Sequence, residues 1–252
     1  MRKIVAIIVA MMLAVPLVGC DDGDWNDCQS WQSSTEQGET QTVYILIQPS
    51  SNSEELATHL RNDLKPFLES LVEKGGAPLR LEGWAYGGLG TPIRQLKCMN
   101  GAVYPLKSPN SQIQRELREV IPGTVVKAAS EELMDTQIGK TRADALPLLL
   151  KISKPEKAHV FLWSQFNANG EYCLQETLPA PIVEQAKKKI QGCVDAGDIH
   201  VLPGLASFTI NGLGVMTDEK SRNMQPYSLG LAKYLCEAVT GSPGVCHTPP
   251  VK

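Results

Sequence analysis

Short apolar runs alternate with segments of helical hydrophobic period from about residue 42 onward, and this alternation constrains the fold more than any other feature. The runs 43–47 and 158–163 have the length and composition of buried strands. Between them, apolar side chains recur three or four residues apart, as Leu56, Leu60 and Leu64 do. Strands that alternate with helices favour a sheet covered on both faces. The sequence therefore predicts a doubly wound α/β fold with a mostly parallel sheet, formed by one domain over residues 42–252.

The first predicted helix has recognisable start and stop signals. Asn52 is placed to cap it, and Glu55, three residues on, completes a capping box. Pro66 should kink the helix, and the glycines at 75–76 should end it. A second strand is expected over 79–86.

The middle of the chain, from about 90 to 135, has the weakest pattern. Proline-marked turns dominate it, and the spacing of Ile113, Leu117 and Val120 indicates one helix. The pattern then becomes clear again. It predicts a short helix after Thr141, a helix over 182–190 with Pro181 in its first turn, a strand over 208–215 and a last helix over 227–238.

The N-terminus is organised like a secretion signal. A short positive stretch, residues 1–3, precedes an uninterrupted apolar run over residues 4–18. This run is short for a membrane span and long enough for a signal peptide. We therefore expect residues 1–19 to direct export and to be removed.

The run ends in Leu17-Val18-Gly19-Cys20, which resembles the lipobox of bacterial lipoproteins. The resemblance implies a diacylglycerol on the Cys20 thiol and a further acyl chain, such as palmitate, on its amine, which together anchor a protein durably. Asp21 directly after the lipidated cysteine implies retention in the inner membrane, with the outer membrane as the alternative. The body would then face the periplasm on a flexible tether, residues 20–41, that is rich in small and polar residues. An ordinary cleaved signal followed by an unrelated cysteine is the other interpretation.

Six cysteines besides Cys20 indicate disulfides in an oxidising compartment. They are Cys28, Cys98, Cys173, Cys193, Cys236 and Cys246. Six cysteines allow 15 pairings, and the sequence does not choose among them. Cys236 and Cys246 flank a Gly/Pro turn and are the pair expected first. Haem attachment at 244–247 would require a cysteine where Pro243 stands, and the histidines lack the spacing of zinc ligands. We therefore predict no cofactor.

The polar residues that follow the predicted strands resemble a degenerate von Willebrand factor type A domain. The family's D-x-S-x-S motif corresponds to Gln48-x-Ser50-x-Asn52, its later threonine to Thr141, and the aspartate after its central strand to Gln165. The resemblance covers residues 42–241 and fits poorly between 90 and 135. It implies a doubly wound fold whose site lies above the carboxyl ends of the strands.

Both aspartates of that metal motif are replaced by glutamine here. Gln48, Ser50, Asn52, Thr141 and Gln165 together carry no formal negative charge, whereas Mg²⁺ is usually held by carboxylates. We therefore expect no bound metal unless Asp144, Glu54 or a partner's carboxylate supplies the missing charge.

These five residues could form a neutral rim that binds a partner's backbone or carboxylate through amide donors. The alternative is purely internal: Asn52 caps the helix, while Gln48 and Gln165 satisfy each other's amides. No catalytic constellation is apparent, since Ser50, Ser51 and Ser53 lack a nearby histidine. A net charge of −3 and the absence of a Lys/Arg cluster argue against a nucleic-acid partner.

The function expected from these features is that of a membrane-anchored periplasmic interaction module, not an enzyme. It would bind another envelope protein, within a secretion, conjugation or envelope-maintenance assembly. Two alternatives stay open at this point. One is a metal-dependent adhesin, and the other is an envelope hydrolase with an unrecognised site in the 90–135 region.

Overall fold

The computed structural model describes residues 39–48, 54–74, 77–86, 92–104, 111–135, 145–164, 166, 183–213 and 219–248. Within these ranges, six strands form one sheet in the order β3-β2-β1-β4-β5-β6. The strands are β1 (Gln41–Gln48), β2 (Leu79–Ala85), β3 (Arg94–Tyr104), β4 (His159–Ser164), β5 (Ser207–Asn211) and β6 (Cys246–His247).

The sheet is mostly parallel and doubly wound, as predicted. Strands β1, β2, β4, β5 and β6 run parallel, and the edge strand β3 runs antiparallel to β2. From β1 the chain first builds outward through β2 to β3, then returns to β4 on the other side of β1 and builds outward again. The direction of winding therefore reverses between β1 and β4. We call the edge where the parallel strands begin the amino edge, and the edge where they end the carboxyl edge.

Five described helices cover the sheet: α1 (Glu54–Lys74), α2 (Ser111–Asp135), α3 (Leu146–Leu149), α4 (Val183–Asp195) and α5 (Glu219–Thr240). Helices α1 and α2 pack together in one apolar cluster, and α3, α4 and α5 contribute to a second. Strand β1 supplies side chains to both clusters, because successive residues point to opposite faces. Ile45 faces the α1/α2 cluster, and Leu46 faces the α3/α4/α5 cluster.

The 90–135 region is more regular than its sequence indicates. It contains the strand β3 and the 25-residue helix α2, which continues through Pro122. The strand period is hidden because the β2–β3 register shifts on both sides of Glu82. A Cβ at Gly83 would lie 2.6 Å from Cβ of Met99, so the irregular part of β3 packs directly on this glycine. Tyr104 steadies the irregularity by donating its hydroxyl to the Cys98 carbonyl at 2.6 Å.

The remaining elements lie where they were predicted, although α4 continues to Asp195 and α5 begins at Glu219, before the predicted start at 227. Helix α1 contains Pro66 and has Glu54 and Glu55 in its first turn, where carboxylates favour the helix dipole. The proposed cap, Asn52, lies outside the described residues. The strand predicted over 208–215 ends at Asn211, because Gly212 takes a left-handed conformation with φ +91°.

Cysteines tie the end of the chain to the sheet. Cys236 of α5 is bonded to Cys246 of β6, with their Cα atoms 5.8 Å apart. This is the pair expected first from the sequence. Cys98 and Cys193 are also disulfide-bonded. None of the helices in the described ranges combines the length and the apolar character needed to cross a membrane.

Candidate functional site

The switch point between β1 and β4 is where a doubly wound sheet usually opens a crevice for ligands. Here the two strands end side by side, with Gln48 paired in register with Ser164. Both residues are 0% exposed. The Ser164 hydroxyl donates to Oε1 of Gln48 at 2.7 Å, so a neutral hydrogen bond bridges the carboxyl ends of the two central strands.

The turn after β4 holds the serine in place. The backbone N–H of Phe166 donates to Oγ of Ser164 at 3.0 Å, a local bond that serine commonly makes two residues on. Phe166 adopts φ +49° and buries its ring in the α3/α4/α5 cluster. The Ser164 hydroxyl therefore accepts a hydrogen bond from the Phe166 N–H and donates one to Gln48. These two bonds determine its orientation.

Gln48 does not occupy the position that the sequence suggested. Its side chain is buried, whereas the sequence placed its amide on a rim that faces a partner. Binding of a partner at this edge stays a prediction. The internal alternative predicted a bond between Gln48 and Gln165. Gln165 lies outside the described residues, and the described partner of Gln48 is Ser164. Ser50, Asn52, Thr141 and Gln165 lie outside the described residues, so their place at this edge stays a prediction.

Within the chain, Glu54 and Asp144 are the carboxylates that the sequence offered to compensate for the two glutamines. Glu54 forms an ion pair with Arg61 on the same helix, and its side chain is 70% exposed. Asp144 lies outside the described residues. In the ranges that the structure describes, no group of three or more His, Cys, Asp or Glu side chains is arranged to hold a metal ion.

Asp63 is a polar residue of this region that sequence reasoning missed. Its carboxylate accepts a hydrogen bond from Nε1 of the fully buried Trp163 at 3.0 Å and another from the backbone N–H of Gly212. Burial raises the pKa of Asp63, and the two hydrogen bonds and the nearby His59 oppose this rise. Asp63 thus links α1 to the ends of β4 and β5.

One feature of the sequence indicated the contact between Asp63 and Trp163. Asp63 lies between Leu60 and Leu64 and has the pattern of a solvated helix residue. Trp163, however, belongs to a strand buried on both faces, and a buried indole N–H normally has an acceptor. A polar partner for Trp163 could therefore have been expected, although not which residue it would be.

Gly212 allows the chain to pass close to the end of β4. A Cβ at this position would lie 3.0 Å from the backbone nitrogen of Ser164 and 3.1 Å from Cδ2 of Trp163. The left-handed φ of +91° is also one that L side chains rarely adopt. Glycine at 212 therefore brings the β5 end against the Gln48–Ser164 pair.

This arrangement is suited to rigidity and not to nucleophilic chemistry. An activated serine needs a base that accepts its proton, and Ser164 donates to an amide carbonyl instead. Gln48 and Ser164 bring no formal charge to the switch point. A comparison of the chain with protein-family models, curated proteins and solved structures found no match.

Proposed function

We propose that the chain is a lipid-anchored protein of the bacterial envelope whose α/β domain is a von Willebrand factor type A-like binding module that works without a metal ion. The lipobox-like ending at Cys20 supports the anchor, and Asp21 supports retention in the inner membrane. The domain would face the periplasm and bind another envelope protein within a secretion, conjugation or maintenance assembly.

The observation that carries the metal-free part of the proposal is the hydrogen bond from Ser164 to Gln48. In the resembling family an aspartate at the Gln48 position contributes charge to the metal site. Here the amide oxygen is neutral, buried and already accepts a hydrogen bond. A divalent cation would have to disrupt that bond and shed water without gaining a carboxylate in return, which is unfavourable.

Metal independence is tested by thermal melting of the purified domain with EDTA and with added Mg²⁺ or Ca²⁺. We expect the same midpoint in all conditions. A midpoint that rises and saturates with either cation would support the metal-dependent adhesin instead. The double variant Gln48→Asp/Gln165→Asp is a suitable control, because it restores both carboxylates and should be less stable in EDTA and regain stability with Mg²⁺.

The anchor is tested separately by fatty-acid labelling and membrane fractionation of the full chain. The unmodified protein should incorporate label and sediment with inner membranes, whereas Cys20→Ser should lose the label. Asp21→Ser tests the sorting rule and should shift labelled protein toward the outer membrane. Label that persists in Cys20→Ser would show that Cys20 is not the acylated residue.

The binding face is tested by photo-crosslinking in intact cells from single positions. Crosslinkers at Asn52 and at Thr141 should capture the same envelope protein, because the proposal places both at the carboxyl edge. Lys157 is a matched control at the amino edge, where its side chain is 84% exposed. Capture from Lys157 alone would place the binding face at the opposite edge and contradict the proposal.

A further inference from the structure

The chain contains three Asn-Gly sequences, a dipeptide that can modify itself without an enzyme. They lie at 100–101, 169–170 and 211–212. In such a sequence the backbone nitrogen of the glycine can attack the side-chain amide carbon of the asparagine, because glycine has no side chain that obstructs the approach. The attack closes a five-membered succinimide ring. The sequence at 169–170 lies outside the described residues, and the surroundings of the other two differ.

Asn100 lies in an irregular part of the edge strand β3. It pairs in register with Glu82, and the next pair is Ala102 with Leu81, so Gly101 is an extra residue that faces no residue of β2. Its φ of +86° is typical of the glycine in a β-bulge. A bulge interrupts the ladder that otherwise holds a strand extended, and Asn100 is exposed to solvent. The backbone at this position can therefore adjust toward ring closure.

Asn211 and Gly212 are held more tightly at the end of β5. Asn211 pairs in register with Trp163 of β4. The N–H of Gly212 donates to the carboxylate of Asp63, and a Cβ at Gly212 would lie 3.0 Å from the backbone nitrogen of Ser164. The nitrogen that would have to attack is thus hydrogen-bonded, and its surroundings are closely packed. This second sequence also has a left-handed glycine, so it is an internal control for the first.

A salt bridge lies against Gly101. Nε of Arg80 donates to Oε1 of Glu82 at 3.3 Å. A Cβ at Gly101 would lie 3.0 Å from Nη2 of Arg80 and 3.2 Å from Oε1 of Glu82. Ring closure places negative charge first on the Gly101 nitrogen and then on the oxygen of the attacked amide. The Arg80 guanidinium favours this charge and the Glu82 carboxylate opposes it, so the two side chains have opposite effects on the reaction rate.

We propose that Asn100 is a site of self-modification, at which the folded protein deamidates through a succinimide, whereas Asn211 is protected. Hydroxide removes the N–H proton of Gly101, and the nitrogen forms a bond to Cγ of Asn100. The bond from Cγ to the side-chain nitrogen breaks, and this nitrogen leaves as ammonia with a proton from water. A second water molecule opens the ring at either carbonyl, which gives aspartate or isoaspartate at position 100. No oxidant or reductant takes part.

The product alters the pairing of β2 and β3. A carboxylate at position 100 stands opposite Glu82, and like charges opposite each other on neighbouring strands destabilise a sheet. Isoaspartate also adds one methylene group to the backbone of β3. The modification therefore weakens the attachment of the edge strand as the molecule ages.

Peptide mapping of the purified full-length protein, incubated in its folded state and sampled over time, tests the proposal. Trypsin isolates Asn100 in the peptide 98–107 and Asn211 in the peptide 190–220, and a zero-time sample corrects for conversion during digestion. We expect isoaspartate and aspartate to accumulate several-fold faster at position 100 than at position 211, at a rate that rises with pH. Protein that is reduced and unfolded in guanidinium chloride is the control, since both sequences should react at similar rates there.

Three outcomes would overturn the proposal. They are no conversion at position 100 in the folded protein, equal rates at positions 100 and 211 in the folded protein, and aspartate without isoaspartate at position 100. The last outcome would indicate direct hydrolysis of the amide, because a succinimide opens to both isomers.

Arg80→Gln and Glu82→Gln test the effect of charge on the reaction. Arg80→Gln should slow the conversion of Asn100 several-fold, and Glu82→Gln should accelerate it several-fold, while the rate at Asn211 stays unchanged. Both side chains are partly exposed, so both variants should remain folded. Rates that change in the same direction would contradict the effect of charge.

The weaker pairing of β3 is tested with Asn100→Asp, which introduces the charge of the product. Its thermal midpoint should lie a few degrees below that of the unmodified protein, and Glu82→Gln in the same chain should remove the difference. Asn100→Ser is the uncharged control, which should keep its midpoint and form no isoaspartate at position 100. An unchanged midpoint in Asn100→Asp would contradict the weaker pairing.

Discussion

At the scale of single residues, three described side chains at the carboxyl edge, those of Gln48, Asp63 and Ser164, are each hydrogen-bonded to a neighbouring group. Gln48 and Ser164 are 116 positions apart in the chain, and their side chains meet because β1 and β4 are neighbours. Asp63 is the charged member of the same region and is stabilised by two N–H donors. These contacts fix the orientation of the three side chains relative to the ends of the strands.

Replacing Ser164 with alanine should destabilise the domain by about 1–3 kcal/mol, because Gln48 and the N–H of Phe166 each lose a buried partner. Ser130→Ala is the matched control. Ser130 is also buried, but its hydroxyl donates to the Val126 carbonyl within α2, so the loss should be smaller. Urea unfolding measures both. Equal losses in the free energy of unfolding would mean that the Ser164–Gln48 hydrogen bond contributes no more to stability than the Ser130 bond within α2.

The raised pKa of Asp63 predicts a pH dependence of stability. A carboxyl group with a higher pKa in the folded state binds more protons when folded, so stability falls as pH rises from its unfolded pKa through its folded pKa. Asp63→Asn keeps a carbonyl acceptor for Trp163 and removes the charge. The variant should therefore gain stability relative to the unmodified protein as pH increases over that window.

The measurement is a set of urea unfolding curves for both proteins between about pH 3 and about pH 8. If the difference in unfolding free energy between Asp63→Asn and the unmodified protein stays constant across this range, the Asp63 pKa is not raised. His59 must be monitored in parallel, since its charge acts on the same carboxylate.

At the scale of elements, α4 and α5 approach closely because α5 has a glycine, Gly230, at their contact. A Cβ at Gly230 of α5 would lie 2.9 Å from Cβ of Ala186 in α4. The lack of a side chain at position 230 therefore permits α4 and α5 to pack closely. Neither helix sequence by itself indicates this contact. The same helix pair contains Gly192, where an added Cβ would meet nothing within 4 Å.

These two glycines make a matched pair of substitutions. Gly192→Ala should stabilise the domain by about 0.5–1 kcal/mol, because alanine is the better helix former and no neighbour obstructs it. Gly230→Ala should destabilise it by about 1–3 kcal/mol, since overpacking outweighs the gain in helix propensity. Thermal unfolding followed by circular dichroism distinguishes the two signs. A stabilising Gly230→Ala would mean that α4 and α5 are less closely packed than the structure has them.

At the scale of the whole molecule, one sheet separates two apolar clusters and is shared by both. Ile45 and Leu46 are consecutive in β1, are each 0% exposed, and contribute to different clusters. Because a single strand connects the clusters, we expect them to unfold together and not as independent halves.

Ile45→Ala and Leu46→Ala should each cost about 2–5 kcal/mol through lost burial and a residual cavity. Each should also shift the circular dichroism and tryptophan fluorescence transitions by the same amount, since unfolding is cooperative. Leu150→Ala, at a side chain that is 67% exposed, should change stability by less than about 0.5 kcal/mol. Separate transitions in either core variant would contradict a shared core.

The sequence by itself determined the kinds of element and their order. Apolar runs at 43–47 and 158–163 and the helical spacing from Leu56 to Leu64 predict β1, β4 and α1, because strand and helix periods are local properties of a chain. The alternation of these elements was enough to predict a doubly wound, mostly parallel sheet. The sequence did not predict β3, because the register shifts beside Glu82 interrupt the strand period.

Only the tertiary structure decided which side chains meet. Gln48 reads as an exposed rim residue and is buried against Ser164, while Asp63 reads as a solvated helix residue and binds Trp163. Such contacts join residues 100 or more positions apart, and they depend on strand order, register and the close backbone approach at Gly212. Local periodicity contains none of this information, because burial of a polar group is decided by the elements that pack around it.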